Sequence, residues 1–265
     1  MTTGRGTRLA LAVATVATLG FIYLPIALIF VYAFNAGTTP SWPPVGFTLR
    51  WFFVAIENTG LQQAFLTSLA VALFASAIAL VLGTLLSLAV SRYRFFGREA
   101  ISLFVIFPIA LPGIVTGMAL STTLSQVGFP LGVLTIVVGH ATFCIVLVYN
   151  NAIARLRRTG GSFEEASADL GADPWTTFRH ITLPNLRSAL LAGALLAFAL
   201  SFDEVIVTIF TAGGVKTLPI WIFQSFRLAN QVPVVNVAGV VAILLSVVPV
   251  YIAQRLTGAE SAGIR

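Results

Sequence analysis

Few residues in this 265-residue chain are equipped for chemistry, and those that are stand far apart. The two histidines, His140 and His180, have no nucleophile or metal ligand at useful spacing, and no Ser-His-Asp, HExxH or other paired-acid catalytic arrangement can be assembled. Cys144 is the single cysteine, so no disulfide can close within the chain, and its apolar surroundings read as those of a small buried hydrophobe. There is no GxxxxGK[ST] phosphate loop, so any ATP must be bound by another chain. The expectation is therefore no catalytic residue, no metal site and no cofactor of this chain's own. One carboxylate pair stands out, Asp203 and Glu204 in ALSFDEVIVTIF, because it interrupts a run apolar enough to lie in a bilayer. A charged acid at mid-membrane costs about 2.5 to 3.5 kcal/mol, and somewhat less nearer the surface. No basic residue in another apolar run is available to offset it. Two readings follow: a solvated charge at a helix end, or a carboxylate pair on a route for cations.

The elements that position these residues are helices in lipid. With 58% hydrophobic and 9% charged residues, the chain carries more apolar surface than a soluble fold could bury. About 20 helical residues cross a hydrocarbon core roughly 30 Å thick. Six runs qualify: about 9–34, 65–90, 100–124, 131–153, 188–211 and 234–254. The fold class read from them is an all-α membrane protein with six transmembrane helices. Asp203 and Glu204 lie 15 and 16 residues beyond Ser188, about 22 to 24 Å along a helix at 1.5 Å per residue, in the outer half of the membrane.

Arginine placement sets the orientation. Twelve basic residues lie in the termini and the even-numbered loops (Arg5, Arg8, Arg92, Arg94, Arg98, Arg155, Arg157, Arg158, Arg179, Arg187, Arg255 and Arg265). Three, Arg50, Lys216 and Arg227, lie in the odd-numbered loops. Both termini are thus expected in the cytoplasm. The net charge of +6 is accounted for by topology and anionic lipid, with no nucleic acid as partner. Although two arginines followed by an apolar run resemble a secretory signal, the run is long and no clear cleavage site follows, so it reads as a retained span.

Between the fourth and fifth spans the loop 162–187, SFEEASADLGADPWTTFRHITLPNLR, is the longest polar interruption and carries its own helix punctuation. Ser162 with Glu165 predicts a capping box at the start of a short helix. Gly171 supplies a left-handed helix end, and Asp173 followed by Pro174 predicts an N-cap with proline in the first turn of a second short helix. Pro184 suits the first turn of the long helix that follows.

The spacing of Glu165, Ala166, Ser167, Gly171, Ile181, Leu183 and Pro184 resembles the EAA loop of the permease subunits of bacterial ABC importers, with Ser167 where alanine is usual. In that family the loop faces the cytoplasm and its short coupling helices dock on the ATP-hydrolysing subunit. Further stretches are similar to the spermidine/putrescine group: YLPIALIFVYAFN in the first span, IFPIALPGIVTGMAL in the third, and residues 199–222, where Gly213 and Gly214 end a helix and Pro219 starts another. Pro108 and Pro112 leave carbonyls without donors, which suits either a plain kinked packing helix or a helix facing a wet pathway. The small residues of the second span suit close helix packing. Trp51, Phe52 and Phe53 suit a short interfacial helix capped by Thr48. Pro25 predicts a bend near Phe21. The fourth span offers no chemistry, and the tail from Thr257 is expected to be without fixed structure.

The resemblance implies one transmembrane permease domain over 1–265 in the bacterial cytoplasmic (inner) membrane, forming half of a translocation pathway for a small cationic solute such as a polyamine. Its implied partners are a second permease, related or identical, two subunits that bind ATP and Mg, an extracytoplasmic substrate-binding protein, and lipid. Closure of the ATPase pair would draw the loops together and switch access from outside to inside. The alternatives are a permease for another small organic solute, such as an amino-acid derivative, and a stand-alone carrier or membrane enzyme.

Overall fold

The protein is described here by a computed structural model covering residues 4–228 and 231–262. Arg265, counted above for orientation, lies outside the described residues. The chain divides into two compact units, Met1–Gln62 with Ile222–Ile243, and Gln63–Trp221 with Leu244–Arg265.

In the first unit, α1 (Arg5–Ala33) continues through Pro25 as one helix. The following loop is pinned by Asn35, which pairs with Phe47 in an isolated antiparallel bridge and accepts the Val45 amide on its side chain at 3.2 Å. Thr48 Oγ1 accepts the Arg50 amide at 3.1 Å and so helps to start α2 (Arg50–Glu57). Trp51 departs from the interfacial expectation: it is buried and donates its indole N–H to the Asn35 carbonyl at 2.9 Å, satisfying its polar handle inside the protein. Phe53 is exposed as expected.

The second unit begins within α3 (Thr59–Arg92), whose Val71, Ala72, Ala75 and Ala79 are fully buried. The expected third span is not one kinked helix but two, α4 (Arg98–Ala110) and α5 (Gly113–Gln126), bent by 102°. The cause is local: Leu111 precedes Pro112, whose ring disfavours the helical region for the residue before it, and Leu111 accordingly is extended at φ −80°, ψ 143°. Next comes α6 (Val133–Thr159), the buried hub of the unit. The loop follows with α7 (Ser162–Asp169) and α8 (Pro174–Thr177), then a π-helical turn over Phe178–Thr182.

That turn corrects the reading of α8 as a separate stub, because the helix runs from Pro174 through it into α9 (Leu183–Asp203). A wider turn spares the carbonyl four residues before Pro184 the clash an α-helical proline would impose. The expected continuous fifth span is also corrected: α9 stops at Asp203, Glu204 is extended at φ −72°, ψ 121°, and α10 (Ile206–Thr211) begins anew. After Gly213, α11 (Leu218–Ser225) and α12 (Val232–Ala262) complete the chain. Helix α12 extends to Ala262, so the tail from Thr257 continues the last span where an unstructured end was expected.

Five helical runs, α1, α3, α6, Pro174–Asp203 and Val232–Leu256, are long and apolar enough to cross a membrane, and the bent pair α4 and α5 makes the sixth. The core of the second unit is built on α6, where Phe143, Cys144, Val148, Ala152 and Leu156 pack with Leu186, Leu190 and Ala197 of α9. Close approach requires small residues there: a Cβ added to Gly193 would lie 3.0 Å from Val148 Cα, and one added to Gly83 only 2.9 Å from Val148 Cβ.

Candidate functional site

Two regions of the second unit concentrate the residues singled out above, and the loop 162–187 is the first. Its helix does not start with the expected capping box. Gly161 takes the N-cap position, its carbonyl accepting the amides of Glu164 and Glu165, and Ser162 becomes the first helical residue with no capping hydrogen bond. The acid that anchors the loop is Glu164, which the sequence pattern passes over. Arg92 at the end of α3 donates Nη2 to Glu164 Oε1 at 2.8 Å and to the Gly160 carbonyl at 3.0 Å. Its Nε stands 2.6 Å from Glu164 Oε2 as an ion pair out of line for a hydrogen bond. Thr182, in the π-helical turn, donates to the same Glu164 Oε1 at 2.8 Å. Glu165 and Ala166 are exposed on α7.

Ser167 is buried, and its hydroxyl pairs with that of Thr177 at 2.9 Å, joining α7 to α8. A serine at this small-residue position therefore adds a polar tie that alanine would lack. Gly171 holds φ +83° and turns the chain between the two helices, as its spacing predicts. Asp173 caps α8, accepting the Trp175 and Thr176 amides at 2.8 and 3.1 Å and the Thr176 hydroxyl at 2.6 Å. Those bonds, the hydroxyl first, hold its carboxyl below the ordinary range. Ile181 is half-buried in the π-helical turn, while Leu183 and Pro184 are exposed at the start of α9. Around the elbow Phe163, Leu170 and Trp175 are 59%, 88% and 66% exposed, an apolar set on an otherwise polar loop.

The second region is where two broken spans meet. Pro112 precedes the first residue of α5, and Gly113 lies against Ile206, the first residue of α10: a Cβ on Gly113 would be 3.4 Å from Ile206 Cγ2. Gly117 follows one turn later against Phe210. The structure thus brings the Leu111–Pro112 break beside the Glu204–Val205 break. Pro108 is half-buried, one turn before its own. At the second break the two acids part. Glu204 Oε1 accepts the Val207 amide at 3.0 Å, capping α10, and its carbonyl accepts the Thr208 hydroxyl at 2.8 Å. Asp203 is exposed, and its carboxylate has no hydrogen bond or ion pair among the described residues.

His140 holds this break from behind. It is 1% exposed on α6, with Nδ1 2.8 Å from Ser201 Oγ on α9 and Nε2 2.8 Å from Thr208 Oγ1 on α10. Thr135, also on α6, donates to the Thr211 carbonyl at 2.6 Å. The fourth span therefore carries the polar staples of the fifth. Their partners lie 61 to 76 residues away, and local spacing holds no trace of them.

Residues 79–259 match the family described as the binding-protein-dependent transport system inner membrane component. The putrescine transport system permease protein PotI of Escherichia coli (strain K12) is 34% identical over 217 residues, covering 78% of this chain and 76% of that protein. The spermidine/putrescine transport system permease protein PotC of Haemophilus influenzae is 33% identical over 239 residues, covering 89% and 92%. In fold, the chain is similar to a solved bacterial ABC transporter involved in the import of the acidic polysaccharide alginate, with a TM-score of 0.73 at 17% identity, covering 96% of this chain and 99% of that one.

Proposed function

The chain belongs to the family of binding-protein-dependent transport system inner membrane components, and on that premise we propose that it forms half of the translocation pathway of an ATP-driven polyamine importer. It is a multi-pass ABC permease. The remaining partners follow the importer plan: a second, related permease, two subunits that bind ATP and Mg, and an extracytoplasmic binding protein. In this reading the whole chain is one transmembrane domain in the inner membrane with both termini in the cytoplasm, which the excess of arginine in the termini and even-numbered loops supports.

The loop 162–187 docks on the ATPase. Its support is the glycine elbow at Gly171 with Phe163, Leu170 and Trp175 all exposed around it, large apolar side chains of the kind that anchor a partner. Solute passes at the paired breaks. The observation that carries the substrate class is Asp203, an exposed carboxylate whose neighbour Glu204 is consumed by capping α10. A carboxylate in reduced dielectric attracts a cation more strongly than the same group in water. The relatives named for putrescine and spermidine agree with a polyamine. Purifying the tagged chain from cells that express the candidate partners tests the assembly: an ATP-hydrolysing subunit is expected to accompany it, and to be lost when Leu170 and Trp175 are both replaced by serine. A chain that purifies alone and still moves solute would be a stand-alone carrier.

A further inference from the structure

The side chains of Arg92 and Glu164 are only 24% and 23% exposed, so their pairing is better shielded than a surface salt bridge, and it is forked, with two nitrogens of one guanidinium facing two oxygens of one carboxylate. Both charges suit their places, Arg92 in the last turn of α3 and Glu164 in the first turn of α7. Three segments converge on the pair: the end of α3 supplies Arg92, the turn before α7 accepts from Arg92 through the Gly160 carbonyl, and the π-helical turn before α9 reaches Glu164 through Thr182. Beside this link an open cleft of about 590 Å³ separates Leu88 of α3 and Tyr93 just past its end from Ala168, Thr177 and Phe178 of the loop. The loop thus meets the end of α3 across a cleft whose edge is closed by a polar tie.

We propose that Arg92 and Glu164 are positioning residues that transmit movement of the loop to the second span, as distinct from holding the ATPase. The inference rests on the loop being the ATPase docking element. Glu165, exposed, is free to face the partner, whereas Glu164 faces inward. Breaking the link should leave ATPase bound and active but disconnect its cycle from the pathway.

The test uses the full importer reconstituted in vesicles, with ATP hydrolysed and solute transported measured together. In E164Q, which keeps the side chain's size and an acceptor for Thr182 but removes the charge and sets an NH2 group against Arg92 Nε, the ATPase is expected to co-purify and to respond to the binding protein, while solute moved per ATP falls roughly tenfold. The exchanged pair R92E/E164R restores the charge pairing though not the bonds to Thr182 and the Gly160 carbonyl, so it should recover part of that ratio, which a loss of folding in either single variant would not predict. Should E164Q not accumulate, R92Q breaks the same link from the other side and carries the same expectation. A wild-type ratio in these single variants, an exchanged pair no better than the singles, or loss of ATPase from E164Q would overturn the proposal. If wild-type chain failed to hold ATPase at all, the docking reading would fall instead, and that is visible before any variant is made.

Discussion

Glu204 places a carboxylate oxygen 3.0 Å from the amide of Val207 and so closes the first turn of α10, a task that its neighbour Asp203 does not share. Neutralising each acid should therefore have different consequences. In D203N the charge is lost at constant size, so polyamine uptake should fall steeply while the amount of assembled complex stays at least as high, because an insertion cost is relieved. In E204Q the amide oxygen still accepts from Val207, and the loss should be smaller. Normal uptake by D203N would remove the cation route; a complex that failed to assemble would make Asp203 structural.

His140 tests the break itself. Replacing it by leucine leaves the buried Ser201 hydroxyl without its ring partner, at a cost of about 1 to 3 kcal/mol, while the Thr208 hydroxyl keeps its bond to the Glu204 carbonyl. Thermal unfolding of the purified complex in detergent should show a lower midpoint for H140L, with partial recovery in H140Q. An unchanged midpoint would mean that the Ser201 hydroxyl finds another partner.

At Gly171 the backbone demands φ +83°, where an L side chain is strained by on the order of 1 kcal/mol. G171D, and separately E165K on the exposed face of α7, should insert normally but uncouple ATP hydrolysis from transport. Vesicle assays of both activities decide the matter, and unchanged stimulation in both variants would refute docking.

The cap on α8 gives a pH prediction. Because the Thr176 hydroxyl and the amides of Thr176 and Trp175 hold Asp173 below its usual value of 3.8, its contribution is present above that value and is lost as pH falls through the lower folded one. Over about pH 5 to 8 the cap does not titrate, so D173N, which keeps an acceptor, should share the wild-type pH profile of transport. D173A should run below it throughout. A profile that changes shape in D173N would contradict this.

What was legible in the sequence was local. Gly171, Asp173 and Pro174 announce the elbow because turn and cap chemistry acts over three or four residues, and the apolar runs announce the spans. The breaks were harder. At Leu111 the proline rule was available, yet two prolines in one apolar run also fit a kink. At Glu204 nothing in the run signals an end: a carboxylate in an apolar run reads as a charge to be offset, and here its side chain instead caps the Val207 amide of a new helix. Ser162 looked like a cap because it stands three residues before Glu165, but Gly161 already presents its carbonyl to the amides that needed one. Glu164 and His140 were hidden for another reason. Their partners Arg92, Ser201 and Thr208 come from distant parts of the chain, and only the packed helices bring them within reach.

Transport by the assembled importer tests the central claim most directly. With this chain, a related permease, the ATPase subunits and the binding protein in sealed vesicles, labelled putrescine or spermidine should accumulate only when ATP is supplied on the loop side, and D203N should abolish most of that accumulation. Uptake that ignores ATP, or an ATP-driven complex that carries no polyamine with or without Asp203, would contradict it.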